Sequence, residues 1–340
     1  MREPSFWWRE PGLASGLLAP LAAVYGTVAG ARLEQRGWRA GVPVVCIGNP
    51  TVGGAGKTPA ALAVAAMLAA AGERPVFLSR GYGGALAGPV RVDLRRHRAP
   101  DVGDEPLLLA RAAPTVVARR RVEGAKMAVA IGASVIVMDD GFQNPSLAKD
   151  FSLLVVDGGR GVGNARVVPA GPLRASVDAQ LARADALVVV GTPLRAAGVT
   201  AAARARNVAL FAARLQPDAG AIAALGARRV LAFAGIGDPQ KFFATLAEAG
   251  VAVAATRSFP DHHCYSRAEA QVLCDEADRA GLALMTTEKD LARLDGDEGA
   301  AQLAAHARAL PVTFAFEEGE AFKSLLLGRI AAARTTTTED

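Results

Sequence analysis

Val44–Leu68 reads VVCIGNPTVGGAGKTPAALAVAAML, and this stretch decides the fold. An apolar β-branched run leads into a glycine-rich turn ending in Lys57-Thr58, and an alanine-rich helical pattern follows. Strand, glycine turn, helix is the order of a phosphate-binding loop. Backbone wrapped around phosphates must point consecutive N–H groups inward, through angles that glycine adopts without penalty. Thr51, Val52, Gly53, Gly54, Ala55 and Gly56 are the expected cradle. Lys57 would reach the β- and γ-phosphate oxygens of ATP, and the Thr58 hydroxyl would ligate Mg²⁺. The helix starting there offers its positive end to the anion, and Pro59 sits in its first turn, where a missing N–H costs nothing. Thr51 stands where the strict G-x-x-x-x-G-K-T motif has its first glycine, so a plain glycine-rich turn with a surface lysine is the competing reading.

A P-loop enzyme needs a second acidic anchor for Mg²⁺ at the end of a nearby strand. Val135–Met138 followed by Asp139-Asp140-Gly141-Phe142-Gln143 supplies it, an apolar strand with two carboxylates where the chain leaves the sheet. Adjacent side chains on extended backbone point apart, so one acid can face the metal and the other a water or the Lys57 ammonium.

Further strand-like runs occur at 42–47, 75–78, 153–156 and 186–190, separated by alanine-rich helical stretches. This alternation predicts an α/β protein with a P-loop NTPase-like, mostly parallel sheet flanked by helices. A second series at 208–211, 230–233, 251–254, 282–285 and 312–316 has no glycine loop of its own and predicts a smaller α/β domain. The expected division is an N-terminal segment over 1–36, a P-loop domain over 37–215, a smaller domain over 216–330 and a disordered tail over 331–340.

Lys plus Arg number 38 against 33 Asp plus Glu, a net charge of +5. That excess suits an anionic partner such as a membrane surface or a phosphorylated substrate, and no basic, aromatic-laced tract argues for nucleic acid. Cys46, Cys264 and Cys274 form no C-x-x-C pair, against a disulfide framework or structural zinc and in favour of a reducing cytoplasm. Phe6-Trp7-Trp8-Arg9 precedes an uncharged run, Gly12–Ala31, rich in Gly and Ala and interrupted by Pro20. It is expected to be a membrane-associating interfacial helix, with the tryptophans at headgroup level and arginines near lipid phosphates.

Other clusters are open to two readings. Asp104, in Asp101-Val102-Gly103-Asp104-Glu105-Pro106, is well placed to cap a helix, and by residue pattern alone capping outranks catalysis. Phe259-Pro260-Asp261-His262-His263 suits proton transfer or anion contact, or a surface loop. Ser79-Arg80-Gly81-Tyr82-Gly83 and Pro169-Ala170-Gly171-Pro172-Leu173-Arg174 each set an arginine near glycine, as a phosphate clamp or as a turn.

In order along the chain stand GNPTVGGAGKTP, SRGYG, VGDEP, MDDGFQ, PAGPLR, AFAGIGDPQKFF, FPDHH and TTEKD. This series, from about Val42 to Asp290, closely resembles tetraacyldisaccharide 4′-kinase, the lipid A 4′-kinase family of Gram-negative bacteria. The resemblance implies ATP- and Mg²⁺-dependent transfer of the γ-phosphoryl group to the 4′-hydroxyl of a tetraacyl disaccharide 1-phosphate, giving lipid IVA. It implies a peripheral or monotopic enzyme on the cytoplasmic face of the inner membrane. By the same resemblance Lys57 and Thr58 hold ATP and magnesium, and Asp139 and Asp140 are the Walker-B-type acids. Asp104 becomes the catalytic base, paired with His262, which reverses the capping reading. Because those two residues lie in different halves, domain closure is expected to bring them together. The family usually has His after DDGFQ, and here Asn144 can hydrogen-bond but cannot carry a proton. The runner-up is a P-loop switch or partitioning-type ATPase, which would have no need of the Asp104 and His262 clusters.

Overall fold

The computed structural model describes residues 3–337. The strands are β1 Val44–Gly48, β2 Pro75–Ser79, β3 Val90–Arg91, β4 Thr115–Val117, β5 Val135–Asp139, β6 Phe151–Asp157 and β7 Ala186–Val190. They continue as β8 Ala209–Pro217, β9 Val230–Ala234, β10 Val253–Ser258, β11 Ala283–Thr287, β12 Arg308–Leu310 and β13 Val312–Phe316. Nine of them form one sheet in the order β13-β8-β7-β6-β1-β5-β2-β4-β3. It is parallel except at its edges, where β13 runs antiparallel to β8 and β3 antiparallel to β4. A second, all-parallel sheet has the order β10-β9-β11-β12.

Every residue of β1, β2, β5, β6 and β7 is buried, as a parallel sheet covered on both faces requires. Alternation along β1 and β5 divides the core. Cys46, Ile136 and Met138 face one side with Leu78 and Leu154, whereas Val45, Ile47, Val135 and Val137 face the helix Lys57–Ala70. That helix buries Ala60, Ala61, Val64, Ala65 and Leu68, and its small side chains let it lie close to the sheet. In the β1–β5 register Ile47 lies opposite Asp139, so the glycine loop and the acid pair leave the sheet at one edge, side by side.

Three expectations need correction. Strand Val312–Phe316, assigned to the smaller domain, pairs with β8 and completes the larger sheet. Phe316 stacks on Phe322 at 4.0 Å, and Phe322 also meets Phe151 and Phe211, so this return segment is tied down by aromatic burial rather than by its place in the sequence. The tail expected to be disordered from 331 is helical through Thr337, as the end of the helix Gly319–Thr337, with Ile330 buried in the core. Residues 338–340 lie outside the described residues. Thirdly, the tryptophans do not sit at the surface of a free helix. Trp7 is buried and donates through Nε1 to Pro169 O at 3.0 Å, and Arg160 lies 3.8 Å over the Trp8 ring. The short strands β3, β4 and β12 carried too few residues to be read from the sequence.

The N-terminal segment is a 3₁₀ turn, Ser5–Trp8, then helices Leu13–Leu17 and Ala19–Glu34, and residues 1 and 2 lie outside the described residues. Among the described residues no helix is long and apolar enough to cross a membrane.

Candidate active site

Gly56 at φ +88° turns the chain from β1 into the helix Lys57–Ala70. Lys57 is 8% exposed, and its Nζ donates to Asn49 Oδ1 at 3.1 Å and to Gly53 O at 3.3 Å. Burial pulls its pKa down and Asp140, 3.8 Å from Nζ, pulls it back up. The start of the loop is engaged elsewhere. Val52 gives its N–H to Pro172 O, and Arg174 donates through Nε to Thr51 O at 2.9 Å. Thr51 and Val52, expected to cradle phosphate, are instead paired against Pro172–Arg174, because this part of the loop runs as an extended bridge. The remaining loop lies between two other segments. A Cβ on Gly53 would come within 2.1 Å of Glu3 Oε1, and one on Gly237 would lie 3.6 Å from the Gly54 nitrogen.

The two acids take the divided roles their adjacency allows. Thr58 Oγ1 donates to Asp139 Oδ2 at 3.3 Å, while Asp139 Oδ1 is buried without a hydrogen-bond partner. Burial, with Glu105 and Asp140 nearby, pushes the Asp139 carboxyl up to about 7. Asp140 sits at φ +51° and accepts both arms of Arg174, at 2.9 and 3.1 Å. Against the burial that would raise it, Lys57 and Arg174 hold Asp140 down at about 2. Gln143 ties this cluster to the loop, accepting from Arg174 at 3.1 Å and donating to Asn49 O at 3.2 Å.

Asp104 begins the helix Asp104–Ala112 and is 3% exposed. Its Oδ1 accepts the N–H of the next residue, Glu105, but the N-cap of this helix is Gly103 and no side chain caps it, so the capping reading is corrected. Its Oδ2 does what capping does not require. It accepts Arg293 Nε at 2.7 Å and lies 3.3 Å from His262 Nδ1. Burial would raise its pKa, but the hydrogen bond from His262 and the charge of Arg293 hold the carboxyl far below the usual carboxylate range. The hydrogen bond to Asp104 raises His262 in turn, against burial. Asp104 and His262 are in contact in this structure, so no closure is needed to bring the pair together. His262 takes φ +56°, a left-handed backbone for a non-glycine residue, and its N–H bonds Gly235 O.

The neighbouring histidine belongs elsewhere. His263 stacks on Phe259 and meets Glu269 Oε1 at 3.1 Å. Of the two arginine–glycine motifs, Arg174 is drawn into the site by its ion pair with Asp140, whereas Arg80 is exposed and Tyr82, two residues on, packs 5.0 Å from the His262 ring. Residues without an assigned role in the sequence complete the site. Arg293 bridges Asp104 to Asp290 Oδ1 at 2.7 Å and to Gly235 O, and Lys289 Nζ meets Glu105 Oε1 at 2.5 Å. Burial would lower Lys289, yet Glu105 and Asp104 hold it above its ordinary value. The signal for them was the spacing in Lys289-Asp290-Leu291-Ala292-Arg293, which puts Lys289 and Arg293 on one face of the helix Glu288–Leu294.

A family model described as tetraacyldisaccharide-1-P 4′-kinase matches residues 14–331. A tetraacyldisaccharide 4′-kinase of Rhodopseudomonas palustris (strain BisB5) is 56% identical over 335 residues, covering 98% of each chain. One from Nitrobacter winogradskyi is 54% identical over 334 residues, covering 98% of this chain and 99% of the relative. A crystal structure of LpxK from Aquifex aeolicus in complex with ATP superposes with a TM-score of 0.73 at 27% identity, covering 94% of this chain and 100% of that one.

Proposed function

The chain belongs to the tetraacyldisaccharide-1-P 4′-kinase family, and we propose how its residues divide the work of the reaction. It is a kinase that moves the γ-phosphoryl group of ATP to the 4′-hydroxyl of a tetraacyl disaccharide 1-phosphate in lipid A biosynthesis. One observation carries the residue assignment: the Lys57–Thr58 helix start and the Asp139–Asp140 pair share one sheet edge, under a second sheet that delivers His262 onto Asp104.

Gly53, Gly54, Ala55 and Gly56 and the helix N-terminus receive the triphosphate, with Lys57 leaving Asn49 and Gly53 O to meet phosphate oxygens. The residues present fit a divalent cation, because Asp139 keeps a buried oxygen without a donor beside the Thr58 hydroxyl. Among the described residues no three His, Cys, Asp or Glu side chains cluster as a metal cage, which matches the way Mg²⁺ is usually held, by one or two protein groups with water and phosphate. Asp139 and Thr58 would hold Mg²⁺ there, and the ion would supply charge neutralisation on the phosphates. Asp140 fixes Arg174 and Lys57 relative to each other.

The acceptor hydroxyl gives its proton to the Asp104–His262 pair, which titrates as a unit. Arg293 keeps Asp104 ionised, and Asp104 orients the imidazole through Nδ1. The acylated acceptor also accounts for the N-terminus. Leu17, Leu21, Val24 and Val28 are exposed at spacings of four, three and four, an apolar stripe along the two helices, and Leu13 adds to it. That stripe rests on the cytoplasmic face of the inner membrane, a peripheral attachment that brings the site to its lipid.

Transfer of label from γ-labelled ATP to the acceptor in mixed micelles tests the assignment. Asp104→Asn and His262→Asn should each lower kcat by roughly 10²- to 10⁴-fold with folding retained. Wild-type-like turnover in either variant, or ATP consumption that does not depend on acceptor, would overturn it.

A further inference from the structure

Glu3 reaches the phosphate loop from the N-terminal segment. Gly53, at φ +98°, has no room for a side chain, because a Cβ there would overlap Glu3 Oε1. Glu3 Oε2 accepts Trp8 Nε1 at 3.0 Å and Arg160 Nη2 at 2.6 Å, and the Arg160 guanidinium lies 3.8 Å over the Trp8 ring. The loop beside this carboxylate offers donors. Among the described residues the N–H groups of Gly53, Gly54, Ala55 and Gly56 make no hydrogen bond, while the Gly53 carbonyl is taken by Lys57 and the Asn49 amide. A carboxylate held by a guanidinium and an indole N–H against unpaired amides is an anion in an anion site.

The two donors stand on fixed backbone. Asp157 Oδ1 accepts the Gly159 and Arg160 N–H groups at the carboxyl end of β6. The turn Ser5–Trp8 is pinned by Trp7 Nε1 on Pro169 O, by the Asn164 N–H on Trp7 O and by Arg195 Nη1 on Trp8 O. The Glu3 carboxylate has no further hydrogen-bond partner among the described residues, so it can leave by rotating its side chain while Trp8 and Arg160 stay in place. Topology sets what Arg160 can reach. β6 and β5 flank β1, and β5 carries Asp139 and Asp140 at its end. Arg160 therefore stands across the loop from the acids, on the side of the nucleotide and away from the acceptor.

We propose that Glu3 occupies a subsite for a phosphate group of the nucleoside triphosphate, formed by Arg160, Trp8 Nε1 and the loop amides, and that the entering triphosphate displaces it. The inference rests on the phosphate-loop reading above. A phosphate takes both donors and also meets the amides that the carboxylate leaves unpaired, so the exchange is favourable. Each ATP must nevertheless first break the Glu3–Arg160 pair, which lowers its apparent affinity by the fraction of molecules in which the subsite is open.

ATP binding is measured by calorimetry on the whole chain in detergent without acceptor, and steady-state turnover with acceptor present. Glu3→Gln keeps an oxygen for Trp8 and removes the competing charge, so Kd for ATP should tighten about tenfold. A tightening cannot arise from damage to the fold. Arg160→Gln should weaken Kd and raise KM for ATP about tenfold with kcat within about twofold of wild type, and Arg160→Lys should recover part of the loss. In Glu3→Gln/Arg160→Gln the gain from the first change should shrink to about threefold or less, because the two act through one contact. Unchanged or weaker ATP binding by Glu3→Gln would overturn the proposal and leave Glu3 as an anchor of the turn. So would a fall in kcat at unchanged KM in Arg160→Gln, or full additivity in the double variant. No ATP binding by wild type would refute the phosphate-loop reading itself, and this inference with it.

Discussion

Replacing Arg293 with Met keeps most of the side-chain volume and removes the one cation that bridges Asp104, Asp290 and the Gly235 carbonyl. Asp104 is 3% exposed and Asp290 0%, so neither carboxylate can turn to water instead. Removing one partner of a buried ion pair costs about 3–5 kcal/mol, because the charge left behind is uncompensated. At about 2.1 cal/mol/K per residue, the 340 residues give an unfolding entropy near 0.7 kcal/mol/K, so the expected fall in Tm is about 4–7 °C. The pH dependence has a definite sign. In the wild type Asp104 is held below its ordinary pKa, so its contribution is present above that value and lost only in strong acid. Without Arg293 the carboxylate keeps its hydrogen bond from His262, whose pKa that bond raises, so protonation of the imidazole as pH falls supplies part of the missing positive charge. The Tm gap between the two proteins should therefore be widest near pH 8 and close as pH falls towards 5. Scanning calorimetry across that range measures it, with Asp104→Asn/Arg293→Met as the closing corner of a double-mutant cycle that should cost less than the sum of its parts. A gap under about 1 °C, or one that widens in acid, would refute the claim that this cation stabilises the junction between the sheets.

In Asp139→Asn the opposite electrostatics apply. Asp139 is raised to about 7 by burial and its acidic neighbours, so the stability it contributes is complete below the ordinary carboxylate pKa and disappears as pH rises through 7. Metal-free Asp139→Asn should accordingly melt higher than metal-free wild type at pH 8 and lack the stabilisation by Mg²⁺ and ATP expected of wild type. Thermal melts with and without Mg²⁺-ATP check this, and a lower metal-free Tm would count against it. Leu17→Glu/Leu21→Glu places charge on exposed positions of the apolar stripe. It should leave Tm within about 1 °C and reduce flotation with anionic vesicles severalfold, and undiminished flotation would remove the stripe from the membrane contact.

The large sheet was legible because each central strand is buried on both faces and so is written as a continuous apolar run. The glycine loop and acid pair were legible for a related reason, since their positions follow from where such a strand ends. What escaped was pairing between distant segments. Nothing within Val312–Phe316 states that it returns to β8, because an alternating edge strand has the same pattern on either sheet. Likewise Val52 looks like any loop amide until Pro172 is seen to take its N–H.

Arg293 is the sharper case. In sequence it is one arginine among many, three residues beyond Asp290 on a short helix, while its main partner Asp104 lies 189 positions earlier. Its role exists only once the second sheet is set over the first. The site is therefore divided by how far its contacts reach. The half proposed to bind phosphate is built from local geometry at one sheet edge and is written in a few consecutive residues. The half proposed to accept the proton is built across the junction between the two sheets. There a buried carboxylate must be kept charged by a cation from the other sheet and oriented by a histidine in a strained backbone conformation. Damage to that junction should reach catalysis through the charge state of Asp104 before it reaches the loop, whose own contacts to Asn49, Gln143 and Arg174 lie within the larger sheet's half of the chain.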